Sequence, residues 1–308
     1  MSTQRPTRAI SGAAFATLLL IAFMMGANHV AARLAFNNGA DVVTAVIVRS
    51  SITALVIAAI LLVQRVPLAL QPRHKIFLPA IGLLIGVQSL CLYSAVARLP
   101  VALALLAFNT YPLWTALWDR VLYQRRPERT MLLASPLILL GLALALDVLG
   151  AASGLGASGQ WARMGVGVAF ALAAAASFGV ALVLTQHETV GLDGRVRTLS
   201  TMLMAALVAL LAGQLGVLGP AGFHLPTAGL GWLGLLLLTF LYGTAFTIMF
   251  TVLPKLGVAG NSAIMNVEPV FALVLAWAVL GQSIAWMQML GALMVVAAVV
   301  ALGLRKNS

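Results

Sequence analysis

Apolar stretches of about 20 residues, the length that crosses a bilayer as a helix, recur along this whole chain and constrain its fold more than any other feature. The hydrocarbon interior offers backbone N–H and C=O groups no partner, so such runs span it as helices. Barrel strands would be short segments alternating polar and apolar residues, which these are not. The criterion places ten spans near residues 11–34, 42–63, 76–97, 101–122, 130–148, 163–186, 197–218, 229–252, 257–280 and 285–304. Composition agrees: the 308 residues are 62% hydrophobic and 8% charged, with a mean hydropathy of +1.06, far from the balance of a soluble domain. A net charge of +11 does not indicate nucleic acid, because Lys and Arg lie between apolar runs rather than on one soluble face. Arg5 and Arg8 ahead of the apolar stretch from Ala9 to Ala27 resemble a signal peptide. That core is too long and no small-residue cleavage site follows, so it is read as the first span. Cys91 is the only cysteine, which excludes an internal disulfide.

Orientation follows from the basic residues. The N-terminus and every second loop hold Arg5, Arg8, Arg65, Arg73, Lys75, Arg120, Arg125, Arg126, Arg129, Arg195, Arg197, Lys255, Arg305 and Lys306, whereas the opposite side holds Arg33, Arg98 and Arg163. This imbalance puts both termini in the cytoplasm, as an even number of spans requires.

An uncharged small-residue connector, 151–160, separates a first repeat, 1–150, from a second, 161–308, each with five spans. An odd number per repeat makes the second enter the membrane from the opposite side. Moving residues 98–115 along by 157 matches Leu99 with Leu256, Val101 with Val258, Ala102 with Ala259, Asn109 with Asn266 and Pro112 with Pro269. The first span aligns likewise with the sixth, Phe23-Met24-Met25-Gly26 against Ala176-Ser177-Phe178-Gly179. The expected fold is an all-α polytopic membrane protein of ten transmembrane helices in two inverted five-helix repeats. That architecture belongs mainly to transporters, with sites near the midplane where the repeats meet.

Several segments resemble a known family. The order of ten spans, Gly26-Ala27-Asn28-His29-Val30 in the first, Arg49 in the second and a proline-bearing helix followed by Leu280-Gly281-Gln282 are similar to the drug/metabolite transporter superfamily, EamA type. The likeness covers essentially the whole chain. Within that group, Asn266-Val267-Glu268-Pro269-Val270-Phe271-Ala272 and the aromatic content look like the YddG-type exporters of aromatic amino acids. Many members carry Leu-Gly-Glu after the fourth and ninth helices. This chain has Tyr123-Gln124-Arg125 and Leu280-Gly281-Gln282 there, so no role of that glutamate carries over. The resemblance implies a multi-pass protein of the bacterial inner membrane, expected as a monomer in the lipid bilayer with a small-molecule substrate and no cofactor.

Residue chemistry then picks out candidates for a substrate cavity. Glu268 is the carboxylate placed near a bilayer centre, so it must face a cavity, find a cation or stay protonated. It reads either as a site for a substrate amine or proton, or as a structural ion pair. Its expected partner is Arg49; alternatively Arg49 holds a substrate carboxylate. Asn109 and Asn266 either line the cavity or bind helices together through their amides. Pro112 and Pro269 remove one backbone bond each and serve as hinges or static kinks. Tyr111, Trp114 and Trp118 share one helical stripe. The first two either contact an aromatic substrate or pack against neighbouring helices, and Trp118 reads as an interfacial anchor. Asn28, His29, Gln88, Tyr93, Phe178, Tyr242 and Phe246 complete the expected lining, each with a packing role as its alternative. Histidine is the side chain whose ordinary chemistry suits proton coupling near neutrality, so His29 reads either as a coupling site or as a hydrogen-bonded packing residue. Gly82 and Gly86 on the third span form a close-packing motif.

The expected function is export of aromatic and other neutral amino acids by alternating access around a central cavity. Export of drugs or other metabolites is the alternative. An intramembrane enzyme is remote, because catalytic or metal sites want clustered ligands, and His74, His187 and His224 fall in or beside loops.

Overall fold

The computed structural model describes residues 12–125, 129–151, 153–219, 221–252, 267–283 and 285–306. Their regular elements are eleven helices: α1 Gly12–Asn37, α2 Val42–Val63, α3 Pro72–Arg98, α4 Val101–Phe108, α5 Tyr111–Tyr123, α6 Arg129–Ala145, α7 Gly156–Glu188, α8 Gly194–Leu215, α9 Gly229–Thr251, α10 Glu268–Leu280 and α11 Trp286–Lys306. Among the described residues, seven spans are long and apolar enough to cross a membrane, with α4 and α5 together forming one of them. Ser135–Ala145, Glu268–Leu280 and Trp286–Ala298 are shorter apolar helices. Asn266 and the start of the expected ninth span lie outside the described residues. The second half of the connector is helical, because α7 begins at Gly156 and runs for 33 residues.

Local signals explain several ends. Asp41 accepts the Thr44 N–H at 2.6 Å to cap α2, and Asp193 accepts the Arg195 N–H at 2.8 Å to cap α8. The expected fourth span is interrupted at Asn109-Thr110, two residues before Pro112. Pro112 has no N–H to continue the ladder and occupies the first turn of α5, where none is needed. The orphaned end of α4 is closed locally. The Asn109 side-chain amide donates to Leu105 O at 2.9 Å and the Thr110 hydroxyl to Ala107 O at 2.7 Å.

The break separates two environments. Residues Val101 to Ala107 are each at most 2% exposed and form the hub of the largest core cluster, with Leu99, Ile138, Val168, Ala272 and Val295 packed around them. α5 has no fully buried residue.

The repeats are legible in the packing. α5 and α10 each have 13 residues, start 157 positions apart and end in left-handed residues, Gln124 with φ 56° and Gly281 with φ 64°. α1 packs on α9 and α10, while α7 packs on α3 and α5. α2 lies on α8 and α6 on α11. Exchanging the two halves maps this set of contacts onto itself. One contact survives the exchange in atomic detail: a Cβ on Gly26 would lie 3.0 Å from Ala272 N, and one on Gly179 would lie 2.9 Å from Thr115 N. Thr115 and Ala272 are themselves 157 positions apart. Both glycines are there because the neighbouring helix backbone leaves no room for a side chain. Gly82 and Gly86 act in the same way, their absent Cβ atoms falling 2.6 Å from Met204 Cβ and 2.9 Å from Val208 Cβ on α8.

Candidate functional site

The close approach at Gly26 brings the start of α10 against α1, and one turn further along α1 His29 meets Glu268. His29 Nε2 is 3.2 Å from Glu268 Oε1, with the imidazole 4% exposed and the carboxylate 23% exposed. Glu268 is the first residue of α10, where the helix dipole favours a negative charge. The expected Arg49–Glu268 pair is therefore not formed. Arg49 turns instead to α3, donating to the Tyr93 hydroxyl at 3.1 Å and the Ser89 hydroxyl at 3.0 Å. Its guanidinium lies 3.9 Å from the centre of the Tyr242 ring and 4.9 Å from that of Tyr93. Tyr93 in turn donates to Asn28 Oδ1 at 3.0 Å, and its ring meets His29 edge-on at 5.7 Å. Ser89 also approaches Gln88 Oε1 at 3.4 Å.

Asn28, His29, Arg49, Tyr93 and Tyr242 thus form one contiguous polar and aromatic cluster from α1, α2, α3 and α9. It is closed in this conformation: Asn28 and Tyr93 are 0% exposed, and His29 and Arg49 are 3%. These residues, expected as cavity lining, here fill one another's space. Asn109 is likewise buried, and its amide donor is spent on its own helix.

The half-buried candidates gather elsewhere. Tyr111 and Phe178 stand 5.2 Å apart edge-on, and Phe108 approaches both at 5.7 and 5.4 Å. Trp114 lies beside Gly179 on the same α5–α7 seam. Phe246 packs on Tyr242 at 4.4 Å and so extends the Arg49 cluster along α9. Phe108 carried no sequence signal, being one more apolar residue in an apolar run.

A second missed group closes the far ends of α5 and α7. His187 Nε2 is 2.9 Å from Asp119 Oδ1, the His187 and Tyr123 rings stack at 3.8 Å, and the Tyr123 hydroxyl donates to Glu188. The repeat-related positions, Ala276 and Leu280 on α10 and Leu34 and Ala35 on α1, are apolar. Polar closure therefore exists on one seam only. The sequence held the signal, His187-Glu188 at the end of an apolar span, but not its partners.

Two cavities lie at the helix ends. One of about 460 Å³ is bordered by Asp41, Arg98 and His224. The other, of about 340 Å³, is bordered by Arg33, Arg98, Arg163 and Asp147. Neither is lined by His29, Arg49 or Glu268. Among the described residues, no group of three His, Cys, Asp or Glu is placed to hold a metal ion.

A family model for the EamA-like transporter family matches the chain twice, over residues 12–146 and 165–304. The chain belongs to that family. Its members are membrane transporters of the drug/metabolite transporter superfamily, and the two matches coincide with the two halves related by packing. No curated protein matches the chain. A solved structure described only as "Crystal structure of protein" is similar over 97% of this chain and 100% of its own, with 20% identity and a TM-score of 0.59. At that identity the likeness speaks for the fold. As an EamA-like transporter, the protein moves a small molecule across a bilayer.

Proposed function

We propose that this EamA-like transporter exports aromatic and other neutral amino acids across a bacterial inner membrane by alternating access. The observation that carries the reading is one contact chain that holds two opposite charges, Arg49 bonded to Tyr93, Tyr93 against His29 and His29 on Glu268, with Tyr93 and Tyr242 from the two repeats on the guanidinium. A free amino acid needs a cation for its carboxylate, an anion for its ammonium group and, if aromatic, ring faces for its side chain.

In this reading the chain has ten spans, counting the three shorter apolar helices, with both termini in the cytoplasm and the protein acting as a monomer. The odd number of spans per repeat inverts the second repeat. The break ahead of Pro112 and the paired proline Pro269 at the start of α10 then act as hinges between conformations open to either side. The half-buried aromatic residues Tyr111, Trp114 and Phe178 line the cytoplasmic route, and the buried Arg49 cluster is its closed end. The Asp119–His187 and Tyr123–Glu188 contacts are the cytoplasmic latch between repeats.

A second reading, export of organic cations, draws on Glu268, a half-buried carboxylate beside the edge-on pair Phe23 and Phe271 at 5.7 Å. Proteoliposome uptake of labelled phenylalanine, tryptophan, leucine and cationic controls separates the two. The amino-acid reading predicts uptake of the first three in preference to organic cations. Uptake of cations alone reverses it. Repeating the assay with an imposed pH gradient tells proton coupling from facilitated diffusion.

A further inference from the structure

Arg49 sits in the middle of α2, 3% exposed. Among the described residues no carboxylate lies within 4.0 Å of it. The described acids are engaged elsewhere, Glu268 with His29 among them, and Glu128 lies outside the described residues. What surrounds the guanidinium is neutral: two hydroxyls and the faces of Tyr93 and Tyr242. Hydroxyl dipoles and ring quadrupoles spread a positive charge without cancelling it. Nε, moreover, is buried with no hydrogen-bond partner. A buried charge left unneutralised in a membrane protein is expensive and marks a functional site by default.

Glu268, a counter-ion Arg49 could take, is linked to it only through other side chains. Glu268 is held by His29, whose ring packs edge-on against Tyr93, and Tyr93 bonds Arg49. Two rings therefore stand between an arginine and a glutamate that would otherwise neutralise each other. We infer that this separation makes a zwitterion site, in which Arg49 takes the ligand's carboxylate and Glu268 its ammonium group, with His29 and Tyr93 as spacers. The assignment rests on the amino-acid reading above and adds which residue recognises which end of the substrate. A carboxylate suits Arg49 because the planar guanidinium has a spare N–H at Nε and a hydroxyl-bonded N–H at Nη2 that an anion can take over from Ser89. The site is occluded in this conformation, so the ligand enters when the helices part.

The competing explanation is that Arg49 is a static staple between α2, α3 and α9. Isothermal titration on the full detergent-solubilised chain distinguishes them. The ligands are the amino acid, its amide, which lacks the carboxylate, and its desamino acid, which lacks the ammonium group, each on a phenylalanine and a leucine skeleton. The wild type is expected to bind the intact amino acid at least about tenfold more tightly than either truncated form. Arg49→Gln abolishes the preference over the amide, and Glu268→Gln abolishes the preference over the desamino acid. Arg49→Lys, which keeps the charge but loses the planar fork, retains part of its preference. A folded Arg49→Gln protein that still prefers the amino acid over the amide overturns the assignment. If Arg49→Gln aggregates, the wild-type series decides: amide and desamino acid binding as tightly as the amino acid overturns it too. The same pattern on the leucine skeleton alone upholds the zwitterion site while refuting the aromatic preference. Failure of both skeletons to bind refutes both.

Discussion

His29 Nε2 lies 3.2 Å from Glu268 Oε1 and ties the first helix of one repeat to the opening residue of α10 in the other. The imidazole is almost fully buried, so the carboxylate's hydrogen-bonding needs are met from within the protein on that side. His29→Ala is expected to destabilise the protein by about 1 kcal/mol, because it removes the hydrogen-bond partner of a carboxylate that is only partly exposed. Adding Glu268→Gln should recover part of that loss. A thermal-denaturation double-mutant cycle reads the coupling, and strictly additive losses would show that the two side chains do not stabilise each other.

The paired glycine contacts make a second test. A methyl group at Gly26 or Gly179 would press on backbone atoms that side-chain rotation cannot move away. Gly26→Ala and Gly179→Ala should each cost about 1–3 kcal/mol, as overpacking does. Gly12→Ala, where nothing lies within 4 Å, should be neutral or slightly stabilising. Melting temperatures of the three variants check this, with similar effects at all three speaking against the close approach.

Pro112 and Pro269 occupy the same second position of α5 and α10. If the interruption at α5 is a hinge, Pro112→Ala lets helix continue through it and slows the conformational change. Pro112→Ala and Pro269→Ala are then expected to reduce transport rates more than substrate affinity. Equal losses in both quantities would point to static kinks.

The latch gives a prediction about rate without affinity. Asp119 and His187 touch neither the Arg49 cluster nor the Tyr111 aromatic set. His187→Ala should leave ligand affinity within about twofold while raising labelling of cysteines placed on α5 and α7 below the latch, since local opening becomes easier. Unchanged labelling would remove these contacts from the gating account.

Acid stability should carry the signature of the α8 cap. The Arg195 side chain and backbone N–H hold the Asp193 carboxyl below its usual range, despite the opposing effect of partial burial. A lowered folded value means the contribution is complete above the unfolded value of about 3.9 and is lost as pH falls through the lower folded one. Asp193→Ala is expected to cost about 1 kcal/mol at neutral pH. The difference from wild type should shrink below about pH 4, and a pH-independent difference would contradict the charged cap.

Much of the helical layout was legible because apolar length is a strong and local signal. Helix ends fell within several residues of expectation for α2, α8 and α9, and the offset of 157 that aligned Asn109 with Asn266 also aligns the starts of α5 and α10. Side-chain partnerships were less legible. The Arg49–Glu268 expectation compared depths along two separate helix axes. It could not include the crossing at Gly26, which hands Glu268 to His29, or the direction of Arg49 towards Ser89 and Tyr93. Neither Ser89 nor Phe108 stood out as a site residue in the sequence. Their roles arise from contacts between helices, and spacing within one helix does not encode those.

Counterflow tests the central claim most directly. Proteoliposomes loaded with unlabelled phenylalanine and diluted into a trace of labelled phenylalanine should accumulate label transiently above the level of protein-free vesicles. Arg49→Gln protein of the same fold should not. Wild-type protein that is folded yet gives no accumulation beyond empty vesicles would contradict the account.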